Sequence, residues 1–434
     1  MAFKIGLLGL GTVGAGTADI LLNPDGRHPL VQDITIAQVG VRSLDKKRDL
    51  DLPTEILTTD LDAIVTNPDI DIVVELIGGL EPARSLILKA IANGKHVVTA
   101  NKAVIARFGP EIFTAANEAK VYVLLEAAVG GGIPIIEPLK QSLGANRVEN
   151  ILGIINGTTN YILTEMAQKG ANFDDVLKVA QDLGYAEADP TADVGGLDAA
   201  DKIAILASLA FGGKVNREDV YCEGITSITS SDISYAEKLG FVIKLLAIAS
   251  KVDSSDVNSL QLRVHPTFVP LTHPLANING VNNAILVEGQ PLGQVMFYGP
   301  GAGAGPTASA VVADIMNIVG VLHSNKGAKD LDLDPLLSCS PQEYAEVSAI
   351  EEVESRFYAR FLCHDVPGVI GYLGTSFGEY DVSLESVVQI GFQGDFAEIV
   401  VITHHVKEGN FRNALKTIRQ LDAVKDIPSI IRVL

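Results

Sequence analysis

Three glycines in the run Gly9-Leu10-Gly11-Thr12-Val13-Gly14 constrain this chain more than any other feature. The run follows a short apolar stretch, residues 4–9, and opens a helical pattern over residues 12–22. At such a strand-to-helix turn the first glycine makes the tight bend and the second lets the backbone approach a pyrophosphate. The third lets helix and strand pack closely, with the phosphates held at the helix N-terminus. The run therefore assigns Gly9, Gly11, Thr12, Val13 and Gly14 to cofactor binding. A glycine turn that binds nothing would show the same letters, but glycine costs stability where no backbone reason requires it. The opening residues could also be misread as a signal peptide. They lack a charged n-region and a small-residue cleavage pattern, and a buried strand entering a loop explains them better.

Strand and helix patterns alternate through residue 135. Residues 34–41, 71–77, 96–99 and 121–125 read as further buried strands. Residues 82–93 read as a helix, with Pro82 at its start and Gly94 just past its end. This alternation predicts a doubly wound parallel sheet of the Rossmann type. An acid at the end of the second strand would bind a ribose 2′-hydroxyl. Here Val41-Arg42-Ser43 stands instead, with Lys46, Lys47 and Arg48 close behind. An arginine there suits a 2′-phosphate, so NADP is favoured and NAD remains open. Asp45 and Asp49 keep a merely solvated turn in play for the cations other than Arg42.

The middle of the chain changes texture. Helical patterns at residues 174–183, 199–211 and 234–251 mix with strand-like pieces at 148–155, 261–266 and 284–289. An α+β domain for substrate and dimerisation, residues 136–304, follows. A Gly-rich segment at 299–305 precedes a helical stretch near 305–325 that would return to the first domain. Residues 326–350 read as a linker. The last residues, 351–434, show strand, helix, strand, strand, helix and a short final strand, the ferredoxin-like βαββαβ unit. The class is α/β overall.

Composition excludes several functions. Lys plus Arg total 33 against 53 Asp plus Glu, a net charge of −20. Such a chain is a poor ligand for nucleic acid or for an anionic membrane surface. No apolar run reaches the ~18 residues of a membrane span. Cys222, Cys339 and Cys363 form no disulfide framework and no zinc pair. A reduced, cytoplasmic enzyme is expected.

The most informative stretch runs from Gly184 to Lys202, GYAEADPTADVGGLDAADK. Four acids sit in a loop broken by Gly and Pro, which leads into an apolar helix. Asp198 and Lys202 are i and i+4 on one face near the helix start. The helix dipole disfavours a lysine there, a placement that suits proton transfer. A surface ion pair is the plainer reading of any single Asp/Lys pair.

This stretch, from Ala180 onward, is similar to the signature of homoserine dehydrogenases. Further segments resemble that family in the same order: GLGTVG at 9–14, ELIGGLEPAR at 75–84, VVTANKA at 97–103, EAAVGGGIP at 126–134 and NGTTNYI at 156–162. The tail from Arg356 resembles an ACT domain. The whole looks like the monofunctional, ACT-tailed bacterial form, without a kinase-like extension.

The resemblance implies reversible NAD(P)-dependent oxidation of L-homoserine to L-aspartate 4-semialdehyde, within threonine, methionine and isoleucine synthesis. It implies that Lys202 transfers the proton with Asp198 as its partner, and that Lys102 positions substrate or cofactor or relays the proton. Glu187 would receive the substrate ammonium, with Tyr185, Asp193 and Thr158 completing the pocket. Gly184 would lie where cofactor and substrate meet, and Gly303 in the segment returning to the cofactor. Glu126 and the carbonyls of Val129, Gly131 and Ile133 resemble a structural sodium site; a flexible glycine hinge is the alternative. In the tail, the turn Asp365-Val366-Pro367-Gly368-Val369-Ile370 would hold an amino-acid effector, threonine first, unless the tail only dimerises. A homodimer or higher homo-oligomer is implied.

Three rivals are weighed against this. A sugar or polyol oxidoreductase of the same fold typically carries Glu-Lys-Pro where this chain has Asn101-Lys102-Ala103. A non-catalytic amino-acid sensor would have little use for Lys102, Glu187, Asp198 and Lys202 together. A phosphorylating semialdehyde dehydrogenase would need a nucleophilic cysteine with a base nearby.

Overall fold

The computed structural model describes residues 2–46, 48, 50, 52–252, 259–324 and 344–434. Residues 326–343 of the expected linker, with Cys339, lie outside the described residues, as do Lys47 and Asp49 of the arginine-bearing turn. The chain divides into two units. The first comprises Met1–Ile155, Asp201–Asp219 and Asn282–Ala345; the second comprises Asn156–Ala200, Val220–Val281 and Glu346–Leu434.

In the first unit Phe3–Leu8 pairs in parallel with Ile34–Gly40 on one side and Ile72–Glu75 on the other. Leu57–Thr58, His96–Thr99 and Val123–Leu124 complete a six-stranded parallel sheet, in the order third, second, first, fourth, fifth, sixth. The order reverses beside the first strand, and such a switch point opens a crevice at the strand ends. The strands are short apolar runs because both faces are covered; Ile5, Leu7, Val74 and Val98 are fully buried.

The Thr12–Leu22 helix has the expected bounds, and Ala304–Ser324 is the returning helix. The two approach closely enough that a Cβ on Gly16 would lie 2.6 Å from the Ala304 carbonyl. Ala304–Ser324 corrects the expectation that no run is long and apolar enough for a membrane: it has 21 residues and a mean hydropathy of 1.4. It is a core helix of this unit, with Val311, Ile315 and Val319 fully buried against the sheet cluster. The first unit also holds an antiparallel trio, Arg147–Ile154, Asn282–Gln290 and Gly293–Pro300. The last of these carries alternating, half-exposed side chains and escaped a search for apolar runs.

In the second unit the helix expected over 234–251 is not one element. A helix spans Ser230–Lys238, and Phe241–Lys251 is a strand. Gly240, at φ +83°, ends the helix. The run FVIKLLAIAS has no strict period, and only its partner settles its form. It pairs antiparallel with Ser259–Pro270 along its whole length.

The tail has the βαββαβ order: Glu354–His364, Val369–Gly378, Leu384–Gln393, Phe396–Thr403, Glu408–Ile418 and Val424–Val433. The final strand, expected to be short, is ten residues long. It has partners on both edges, Glu354–His364 on one side and Thr267 and Phe268 on the other, so the tail sheet continues into the paired strands Ser259–Pro270 and Phe241–Lys251. Phe357 stacks on Phe411 at 4.0 Å between tail sheet and helices. On the opposite face the buried Arg360 bonds Asp232 at 3.2 Å and Glu398 at 3.0 Å.

Candidate active site

The glycine run makes the tight turn and the close helix–strand approach that its spacing demands. Gly9 has φ +107°, which an L side chain rarely adopts, and a Cβ on Gly14 would meet the Gly9 carbonyl oxygen at 2.2 Å. Gly9 and Gly11 line a cleft of about 810 Å³ at the sheet's switch point. Arg42, Ser43, Lys46 and Arg48 line it from the end of the second strand, and Gly78 and Gly79 from beyond the fourth. The Arg48 guanidinium donates to the carbonyls of Lys46 (2.8 Å) and Ser43 (2.6 Å), which shapes the turn. Arg42 is exposed on the same turn. Thr12, Val13, Gly14, Lys102 and Gly303 stand outside the cleft's lining. Gly303, at φ +126°, accepts from the Thr307 amide at the start of the returning helix.

Sequence reasoning missed the group that holds this cleft's far wall. Glu75, fully buried at the end of its strand, accepts from the Thr99 hydroxyl at 2.6 Å and from the amides of Ile77 and Gly78. Burial pushes its carboxyl above the usual range, against those hydrogen bonds. Asn101 donates to the Gly79 carbonyl at 2.7 Å, while its own side-chain oxygen caps the Lys102–Glu118 helix. Lys102 therefore starts a capped helix just after the fifth strand of the sheet. An acid closing an apolar strand was the available signal.

Lys202 lies on the Leu197–Phe211 helix and is 9% exposed. Its ammonium donates to the Ile155 carbonyl at 2.7 Å. Beside it Asp201, assigned no role from sequence, accepts from Arg217 at 2.7 Å and Arg107 at 3.2 Å. These bonds fix the helix by its neighbouring residue.

In the second unit Asn156 organises the acids. Its side-chain oxygen caps the Gly157–Lys169 helix. Its Nδ2 donates to Asp193 at 2.7 Å and to the buried Asp198 at 2.9 Å. The sequence showed an Asn before a Gly-Thr-Thr helix start, but only Thr158 was assigned. The Thr158 hydroxyl donates to the Tyr185 carbonyl at 2.5 Å, and the Tyr185 ring meets Tyr161 edge-on at 5.0 Å. Gly184, at φ +76°, and Glu187 lie on the exposed loop between helices, which Gln181 ties back through the Glu187 carbonyl.

The Glu126 side chain is spent differently from expectation. It is buried and accepts three amides, from Ile135 (2.5 Å), Ile136 (2.8 Å) and Glu137 (2.7 Å), so it folds the glycine loop around itself. Glu126, Glu137 and the fully buried Asp314 bring carboxylate oxygens within 4.8 Å of one another. Burial raises both Glu126 and Asp314 above the carboxylate range. The carbonyls of Val129, Gly131 and Ile133, all buried, receive no hydrogen bond among the described residues.

The tail turn at 365–370 is placed at the start of the Val369–Gly378 helix. Gly368, at φ +90°, is its N-cap, and Val366 and Ile370 are exposed. Burial pushes the Cys363 thiol up to about 11, and the Cys222 thiol donates to the Gly195 carbonyl at 3.3 Å.

Sheet order, glycine turn and cleft together define a dinucleotide-binding protein of the α/β class. Family models agree in detail. The model for homoserine dehydrogenase matches residues 134–316, and that for the homoserine dehydrogenase NAD-binding domain matches residues 9–126. The chain is 68% identical to the homoserine dehydrogenase of Synechocystis over 434 residues, covering all of both chains. The solved structure of a homoserine dehydrogenase from Thiobacillus denitrificans superposes with a TM-score of 0.90 at 45% identity, covering 100% of this chain and 98% of that one. A hyperthermophilic archaeal homoserine dehydrogenase, solved in complex with NADPH, gives 0.63 at 28% identity, covering 74% of this chain and 98% of that one. The chain belongs to the homoserine dehydrogenase family. Its reaction is the NAD(P)-dependent oxidation of L-homoserine to L-aspartate 4-semialdehyde, which displaces both the polyol oxidoreductase and the bare sensor.

Proposed function

We propose that the chain runs this reaction with NADP in preference to NAD, with Lys202 carrying the proton. The observation that carries the reading is the placement of Lys202: buried, fixed on the Ile155 carbonyl, and one helical turn from Asp198, whose carboxylate Asn156 holds beside Asp193. The bound nicotinamide supplies the hydride chemistry. In oxidation, Lys202 Nζ takes the proton from the homoserine hydroxyl oxygen as hydride leaves the carbon that bears it for the nicotinamide. In reduction, its ammonium returns a proton to the oxygen that develops negative charge. Asp198 orients the lysine. Glu187 receives the substrate ammonium, Tyr185, Thr158 and Asp193 shape the pocket, and Gly184 gives the loop its close approach. Lys102 positions substrate or cofactor from its helix start.

The NADP preference rests on Arg42, with Ser43 and Lys46 beside it, at the cleft edge where a 2′-phosphate would sit. The NADPH complex of the archaeal relative is in keeping with it. Gly9, Gly11, Thr12, Val13 and Gly14 hold the pyrophosphate, and Gly303 closes on the cofactor from the returning segment.

A sodium ion would sit on the carbonyls of Val129, Gly131 and Ile133, near Glu126. Three buried carbonyls without a donor fit a hard monovalent cation, because an unpaired buried carbonyl is costly. The ion would brace the loop.

Residues 1–135, with the helix near 305–325, form the cofactor domain. Residues 136–304 form the substrate and dimerisation domain, 326–350 the linker, and 351–434 an ACT regulatory domain whose Asp365–Ile370 turn senses an amino acid such as threonine. The enzyme works as a cytoplasmic homodimer or higher oligomer in threonine, methionine and isoleucine synthesis.

The test is NADP and NAD reduction by L-homoserine, wild type beside Lys202→Ala, with and without L-threonine. Loss of about 10²-fold or more in kcat with retained NADPH binding supports the proton carrier. Turnover that survives the substitution moves that role to Lys102 or to water.

A further inference from the structure

We infer that residues 221–225 form a strut that fixes the spacing of Asp193 and Asp198, and that Glu223 and Arg432 are positioning residues for homoserine. The inference rests on the proposed roles of those two acids and adds the residues that hold them in place.

Asp193 and Asp198 lie on consecutive helices, Thr191–Val194 and Leu197–Phe211, joined by Gly195 and Gly196. Two successive glycines give a joint wide backbone freedom, so the joint alone leaves the spacing of the acids loose. Asn156 bonds both carboxylates from one side. On the other side residues 222–225 clamp the joint itself. The Ile225 amide donates to the Val194 carbonyl at 2.8 Å, and Ile225 is fully buried. The Cys222 thiol donates to the Gly195 carbonyl. A Cβ on Gly196, at φ +80°, would lie 3.0 Å from the Cys222 sulfur. A Cβ on Gly224 would lie 2.1 Å from the Val194 carbonyl oxygen and 2.7 Å from the Gly195 Cα. Backbone packs on backbone here with no room for a side chain, so a shift of the strut shifts the joint.

The strut has little support of its own. Tyr221–Cys222 is a two-residue strand, paired in parallel with Arg263 and Val264. A strand that short is marginal by itself. Arg432, near the end of the last tail strand, supplies the rest. That tail strand pairs at Thr267 and Phe268, farther along the same Ser259–Pro270 strand. The Arg432 side chain is 7% exposed and donates to Glu223 at 2.6 Å and to the Tyr221 hydroxyl at 3.3 Å. Its Nε donates to the buried Glu408 at 2.8 Å, which holds the guanidinium in one orientation. Charge-assisted bonds of this kind are directional as well as strong. The last strand of the tail thus reaches the substrate acids through Arg432, Glu223 and the glycine joint.

The test is steady-state kinetics with L-homoserine and NADP, beside NADPH titration, on full-length protein carrying Glu223→Ala, Glu223→Gln or Gly224→Ala. Displaced acids should raise KM for homoserine about ten-fold in Glu223→Ala and in Gly224→Ala. NADPH affinity should stay within about two-fold, because the interaction removed serves the other substrate. Glu223→Gln keeps an acceptor for Arg432 and should recover most of the loss. Arg356→Ala, which opens the tail's own pair with Glu385, should leave KM for homoserine unchanged. A role in stability alone would lower the melting temperature without that split between substrates and without that recovery. Asp193→Ala separates two failures. If it leaves KM for homoserine unchanged, the substrate reading of the acids falls, and the strut with it. If it raises that KM while Glu223→Ala and Gly224→Ala do not, the strut is overturned and the substrate reading stands. Equal weakening of homoserine and NADPH in both strut variants also overturns it.

Discussion

The cofactor half of the first unit and the tail of the second organise their polar groups in opposite ways. The first unit builds its sites from backbone: at the cofactor cleft a glycine at φ +107°, a glycine too crowded for a Cβ and amides gathered by Glu75, and in a separate loop amides gathered by Glu126 beside buried carbonyls. The tail is built from side-chain ion networks. Arg360 lies between Asp232 and Glu398, and Arg432 between Glu408 and Glu223, each buried and each tying the tail to chain more than 120 residues away. A backbone device binds a ligand common to many enzymes with little dependence on side chains. A side-chain network fixes one element against another and gives a ligand that reaches it a way to be felt.

If that contrast is right, breaking a tail network should cost more stability than any single change at the cleft. Arg360→Met strands Asp232, fully buried, and Glu398 without their cation. We expect a loss of about 3–5 kcal/mol in urea unfolding. A loss below about 1 kcal/mol would mean that water reaches the carboxylates and that the network is not a tether.

At the cleft, Gly14→Val puts a side chain onto the Gly9 carbonyl. It should cost about 1–3 kcal/mol of stability and weaken NADPH binding at least ten-fold by fluorescence titration. Normal NADPH affinity in a folded variant would show that the turn is not the phosphate site.

Acid should reach the first unit through His96. Burial lowers its folded value to about 4, from 6.5. Its Nδ1 accepts from the Tyr122 amide at 3.0 Å. The unfolded chain therefore takes up the proton first. The histidine's contribution is intact above about pH 6.5 and is lost as pH falls toward 4, on the order of 3 kcal/mol. His96→Gln should flatten that limb of the stability curve; an unchanged limb assigns acid sensitivity elsewhere.

The smallest effect belongs to an exposed side chain. Arg42→Ala should shift the ratio of kcat/KM for NADP over NAD by about 10-fold toward NAD, the worth of one charge-assisted contact. An unmoved ratio would leave Lys46 or Arg48 as the reader of the 2′-phosphate.

Each region was legible to a different depth. The glycine run, the alternating strands and the βαββαβ tail are local patterns, because buried strands and turn glycines carry their constraint in the residues themselves. The stretch at 234–251 misled because an apolar run without a strict period is silent on helix or strand until a partner is known. Asn156, Glu75 and Asp201 were passed over for a related reason. An ordinary Asn, Glu or Asp becomes functional only through what folding sets opposite it.

The sequence by itself determined the dinucleotide fold and the family, since motif spacing survives without coordinates. Tertiary structure alone decided that Asn156 gathers Asp193 and Asp198, that Glu126 spends its carboxylate on three amides, and that Arg432 meets Glu223 across some two hundred residues. Those pairings depend on burial and on long-range register, neither of which any local stretch of chain encodes.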